Sequence, residues 1–177
     1  MTSSGRGVLA LLTVVTVTAL LLGCGTRPQL SAEERVTVQE AQLKEFVERA
    51  DAWGAEVLVQ IPSSEIELVS DNAGGARKAS DYYEEWPKYY YWDQIVVLHA
   101  DNVRSPSEVA DDFEAWLEGR GWERNEGSEF PPREESFERD YYRDGYHLVV
   151  EVYTEVPPRA QSINFMIVTP QTDPDRP

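Results

Sequence analysis

Cysteine is almost missing from this chain: 177 residues include one, Cys24. A single thiol excludes any intramolecular disulfide, so stability must come from a packed core. Basic residues are scarce as well, with 16 Lys and Arg against 32 Asp and Glu and a formal net charge of −16. A surface of that sign repels phosphate backbones and anionic headgroups, which argues against nucleic-acid binding and against a polybasic membrane contact. It leaves cationic partners and divalent cations as suitable ligands. Signature motifs are absent too. There is no G-x-S-x-G elbow, no phosphate-cradling G-x-x-x-x-G-K-[ST] loop and no dinucleotide G-x-G-x-x-G.

What the chain does have begins at its N-terminus. Met1 to Gly7 is short and polar, with Arg6 as its one basic side chain. Val8 to Leu22 follows as 15 residues of aliphatic side chains, Ala and Thr. That length suits a signal-peptide core and is short for the ~30 Å hydrocarbon layer of a membrane. The run closes on Leu21-Leu22-Gly23-Cys24-Gly25. These residues resemble the lipobox of bacterial lipoproteins, in which an aliphatic, a variable and a small residue precede an invariant cysteine. The resemblance covers the first 24 residues and leaves the rest of the chain unassigned, although the layout is similar to that of small lipoproteins of Gram-positive bacteria.

Membership of that family implies a diacylglyceryl group on the Cys24 thiol and cleavage by signal peptidase II just before it. Residues 1–23 are then signal peptide, and residues 24–30 are the lipidated cysteine with a short tether. The expected address is the outer face of the cytoplasmic membrane, with the diacylglyceryl group as the membrane contact. One acyl chain binds a bilayer only marginally, at about 0.8 kcal/mol per buried methylene, whereas two give stable anchoring. The mature part keeps 15 basic and 32 acidic residues. A cysteine nucleophile is excluded if Cys24 carries lipid.

Residues 31–169 read as one globular domain, with 170–177 as a disordered tail rich in proline. Ser31 and Glu34 have capping-box spacing, and Leu43, Phe46, Val47, Ala50 and Trp53 recur at helical intervals, with Gly54 as the stop. Ser105, Pro106 and Glu108 open a second helix whose buried face is Val109, Phe113, Trp116 and Leu117. Other segments alternate. Val57, Val59 and Ile61 suggest one strand; Ile66 and Leu68 share a face of the next; Gly74-Gly75 reads as a flexible turn. Gln94 to His99 has a continuous apolar centre that suits a strand buried on both faces. Trp122 to Asn125, Phe137 to Tyr142, Tyr146 to Val152 and Ile163 to Ile167 complete a meander. Asp144-Gly145 supplies a hairpin turn, and Pro157-Pro158 turns the chain again. The expected fold class is α+β, a mostly antiparallel sheet with two helices packed on one face in a two-layer sandwich.

The search for chemistry ends in binding rather than catalysis. His99 and His147 each end an expected strand, and paired across a sheet they would reach a metal with Asp101 or Glu151. Zinc wants three or four close ligands, so structural histidines are the plainer reading. The acidic groups Glu84-Glu85, Asp111-Asp112 with Glu114, and Glu134-Glu135 lack calcium-loop spacing and read as solvated faces. No catalytic residue, metal or cofactor is therefore assigned. The unusual segment is Tyr82 to Trp92, with seven aromatic residues in eleven and carboxylates between them. Exposed rings stack on sugar faces or anchor protein contacts. Trp86, Tyr89, Tyr91 and Trp92 are the candidate ligand-binding residues, with a cell-wall glycan or an envelope protein as partner. The alternative is that Tyr90 and Trp92 simply pack in the core beside Val96 and Leu98. An envelope hydrolase using a carboxylate pair is the remaining possibility.

The lipid assignment is directly testable. Cys24→Ser should lose the acyl mass and either stay uncleaved or leave the membrane fraction, as read by intact mass and fractionation.

Overall fold

The computed structural model describes residues 30–71, 73–78, 87–102, 104–133, 135–155 and 161–173. The elements run α1 (Ala32–Leu58), β1 (Ile66–Val69), β2 (Gly75–Lys78), β3 (Lys88–Leu98), α2 (Pro106–Gly119), β4 (Glu123–Arg124), β5 (Ser136–Arg143), β6 (Tyr146–Tyr153) and β7 (Gln161–Val168). All strands belong to one antiparallel sheet ordered β1-β3-β7-β6-β5-β4, with β2 also paired to β3. Both helices pack on the same face, so the α+β two-layer architecture stands.

Local chemistry explains the elements. Each helix opens on a complete capping box: Ser31 accepts from the Glu34 amide and Ser105 from the Glu108 amide, while each Glu side chain reaches back to its cap. These bonds satisfy amides that a helix end otherwise leaves without partners. The β5–β6 turn puts φ at +51° for Asp144 and +81° for Gly145, the left-handed pair of a type I′ hairpin. Ion pairs then tie α2 to its surroundings. Arg104 bridges Glu65 and Asp112, Arg124 bridges Glu114 and Glu129, and Arg139 joins Asp111 and Glu114.

Period-2 alternation builds the core. Tyr146, Leu148, Val150 and Val152 of β6, with Ile163, Phe165 and Ile167 of β7, are each 1% exposed or less. They meet Ala50 and Val57 from α1 and Val109, Phe113 and Leu117 from α2. Burying one such large side chain stabilises by about 1.5–3 kcal/mol. At one end Trp53 meets Trp122 and Tyr146 edge-on, at ring distances of 5.2 and 4.8 Å, and Arg143 lies 4.6 Å over the Trp53 ring. Edge-on pairs add roughly 0.5–1.5 kcal/mol each beyond area.

Several expectations need correction. The first helix does not stop at Gly54 but runs to Leu58, so Val57 is helical and buried, Val59 is 75% exposed and Ile61 is buried in the following turn. Val57 and Ile61 are four apart as well as alternate, so so short a pattern fits both periods. Gly54 stays in the helix because Trp92 lies against it; a Cβ there would stand 2.3 Å from the indole. β3 starts at Lys88, inside the aromatic segment, and is buried on one face only: Val96 is fully buried and Ile95 is 41% exposed. Ile66 and Leu68 do not share a face, since the register shifts between them and Leu68 is 59% exposed. Gly75 begins strand β2, whereas the expected strand at Trp122 to Asn125 shrinks to Glu123–Arg124.

The start of the expected tail, residues 170–173, is tied down together with Thr169 before it. Thr169 and Thr172 are 5% and 2% exposed. Their hydroxyls accept from the Tyr90 and Lys88 amides at 2.9 and 2.8 Å, and Thr172 donates to buried Gln39 of α1 at 3.0 Å. This segment continues the pairing with β3 after β7 ends. The Pro157-Pro158 turn and residues 174–177 lie outside the described residues.

Gly54→Val should lower stability by about 2–3 kcal/mol through overpacking against Trp92. Gly119→Ala, where nothing lies within 4 Å, should change it by less than about 0.5 kcal/mol. Urea unfolding of both variants checks the contrast.

Candidate functional site: the open face of the sheet

Because both helices occupy one face, the opposite face of β3, β7, β6 and β5 is left without a helix among the described residues. Strand register sets its side chains in rows. Tyr91, Val168, His147 and Tyr142 form one row, and Asp93, Met166, Val149 and Asp140 the next. Ile95, Asn164, Glu151 and Glu138 form a third, followed by Val97, Ser162, Tyr153 and Ser136. Neighbours in a row are close enough to interact, with Cβ atoms roughly 4.5–5.5 Å apart.

At the β2–β3 side, Tyr89 and Tyr91 line a shallow groove of about 530 Å³ with Met166, Val168, Thr169 and Gln171. Arg77 of β2 donates to the Tyr91 hydroxyl at 2.8 Å and lies 5.1 Å over its ring. That contact fixes the ring as one wall of the groove. At the β5–β6 side, a smaller pocket of about 230 Å³ lies among Phe130, Pro131, Arg133, Ser136, Phe137, Glu138, Glu151 and Tyr153. Phe130 is 73% exposed at its rim.

The pocket holds two carboxylates in direct opposition, Glu138 on β5 and Glu151 on β6. Burial, then the neighbouring Asp140 and Glu151 charges, push the Glu138 carboxyl above its usual range, against a bond from the Phe130 amide that stabilises its charge. Glu151 accepts from Asn164 at 3.3 Å and from the Tyr153 hydroxyl, whose own pKa is raised chiefly by burial and next by the Glu151 charge. In the adjacent rows His147 bonds buried Asp140 at 2.8 Å and stacks flat on Tyr142, ring centres 4.5 Å apart.

The sequence-derived candidates fare unequally. Tyr89 and Tyr91 share the groove. Trp92 points to the other face, 4% exposed in the core, and is removed from the ligand set because alternation along β3 sends it toward α1. Tyr90 goes with it. Trp86 and the pair Glu84-Glu85 lie outside the described residues, as do Cys24 and Glu134. The two histidines cannot share a metal. His147 pairs with Val168 at one end of β7 and Leu98, just before His99, pairs with Gln161 at the other. Seven residues of strand separate those ends by roughly 23 Å. Among the described residues no group of three or more His, Cys, Asp or Glu is placed to hold a metal ion. Asp111 and Asp112 are on the outer side of α2 and ion-paired, while half-buried Glu114 bridges Arg124 and Arg139.

The opposition of the two glutamates is hidden in the sequence, where Glu151 stands out only as a metal partner for the histidines and Glu138 is an ordinary polar position of an alternating strand. Only the two-residue Asp144-Gly145 turn, which fixes register, carried the signal: counting outward from it places Glu138 opposite Glu151.

The chain matches no protein-family model, no curated protein and no solved structure. Among the described residues no helix is long and apolar enough to cross a membrane.

The raised carboxyl gives a pH signature. Its contribution to stability is fully present below the ordinary glutamate pKa and is lost as pH rises through the raised value. Ionised Glu138 thus opposes folding near neutrality. Glu138→Gln should raise Tm at about pH 7 and leave it unchanged at about pH 3, measured by calorimetry at both.

Proposed function

We propose that this chain is a lipoprotein held on the outer face of the bacterial cytoplasmic membrane through Cys24, and that its domain works by binding, using the open sheet face. The supporting observation is the one-sided cover of the sheet. That face carries a grooved aromatic end and an acidic pocket and is left without a helix among the described residues. An envelope component is the natural ligand at that address. Tyr89 and Tyr91 offer ring faces to a cell-wall glycan, and the surrounding apolar positions suit a protein contact equally.

The opposed glutamates support a second reading, hydrolysis. Retaining glycoside cleavage uses carboxyls about 5–5.5 Å apart, one of them raised to act as acid, and Glu138 and Glu151 form a facing pair with Glu138 raised. The two readings separate experimentally: a hydrolase loses turnover of isolated cell wall in Glu151→Gln, whereas a binder has no turnover to lose.

The binding reading is tested with the full chain in detergent against isolated envelope. The double variant Tyr89→Ala, Tyr91→Ala should abolish co-sedimentation while costing little stability, since the exposed cation–π contact it removes is worth about 0.5–1 kcal/mol. Undiminished co-sedimentation would remove the open face as the binding surface.

A further inference from the structure

The two faces of the sheet neutralise charge differently. On the helix side, Arg104, Arg124 and Arg139 are each bracketed by two carboxylates. On the open face Arg77 is bound to Tyr91, and although Arg133 lines the glutamate pocket, neither Glu138 nor Glu151 is ion-paired with a described lysine or arginine. Their bonds come from neutral groups, the Phe130 amide, the Asn164 amide and the Tyr153 hydroxyl. Like charges directly opposite on neighbouring strands are destabilising, and a positive charge between them would remove that cost.

From this charge complementarity, and resting on the reading of the open face as the binding surface, we propose that the face docks a cationic segment of another protein. A lysine or arginine side chain seats between Glu138 and Glu151, its stem against the Phe130 and Tyr153 rings. The apolar neighbours, with Ile95 41% exposed beside the glutamate row, suit a polypeptide that offers apolar and basic side chains together. A second copy of this chain brings a net charge of −16 and is repelled. Anionic headgroups and nucleic acid are repelled in the same way.

The test uses the full chain in detergent and decalysine as probe, with decaglutamate as control. Glu138→Gln with Glu151→Gln should weaken decalysine binding by about tenfold or more. The charge-matched pair Glu45→Gln with Glu118→Gln, both exposed on the helices, should weaken it less than about twofold. Equal losses in the two pairs would reduce the effect to general attraction by an acidic protein and overturn the proposal. Amide shift mapping on the wild-type chain keeps the test independent of variant folding: shifts centred on β5 and β6 support it, and shifts centred on α1 or α2 overturn it. Envelope binding that is lost in the Tyr89, Tyr91 variant but unchanged in the glutamate pair would leave the binding face standing and defeat the cationic partner alone.

Discussion

Burial of one sheet face under two helices is the constraint on which the rest of this structure depends. Alternate residues of β6 and β7, and most of those of β3, are apolar to meet α1 and α2, and the residues between are released from that demand. Tyr146, Leu148, Val150 and Val152 are spent on the core, which leaves His147, Glu151 and Tyr153 free to carry polar chemistry. The same logic divides the aromatic segment. Tyr90 and Trp92 stabilise the fold, while Tyr89 and Tyr91 form the groove, although the four are consecutive in the chain.

The close approach of α1 to β3 shows how tightly the two layers are matched. Gly54 removes a side chain where the Trp92 indole needs the space, and the aromatic group of Trp53, Trp122 and Tyr146 closes the neighbouring end. The strap from Thr169 to Asp173 completes the seal. Its hydroxyls supply acceptors to β3 amides where β7 has already ended, and it reaches Gln39 and Gln42 on the helix. Short polar side chains here do what a further strand does elsewhere, and buried amides keep their partners.

Electrostatics follow the same division. With so few cations, the chain places Arg104, Arg124 and Arg139 where α2 must be tied to the sheet and loops, and each partly buried arginine has at least one partly buried carboxylate partner, Glu65, Glu114 or Glu129. The open face is left acidic. Burial of the phenols nearby has a comparable effect on the helix side: Tyr141 is pushed up to about 12, chiefly by burial and next by the Glu114 charge.

Much of this was legible in the residues. Both capping boxes, the apolar stripes of the helices, the Asp144-Gly145 hairpin and the alternation of β6 and β7 are local patterns, and local sterics and hydrogen bonding decide them wherever they occur. The α+β class follows from their order. What the chain alone left open depends on residues far apart. Whether Gly54 stops a helix or receives an indole, whether Ile95 is covered, whether Thr169 to Asp173 hangs free or straps the sheet, and which glutamates face one another are settled only when β3, β6 and α1 come together. Alternation states that a strand has two faces; only packing decides which of them meets water.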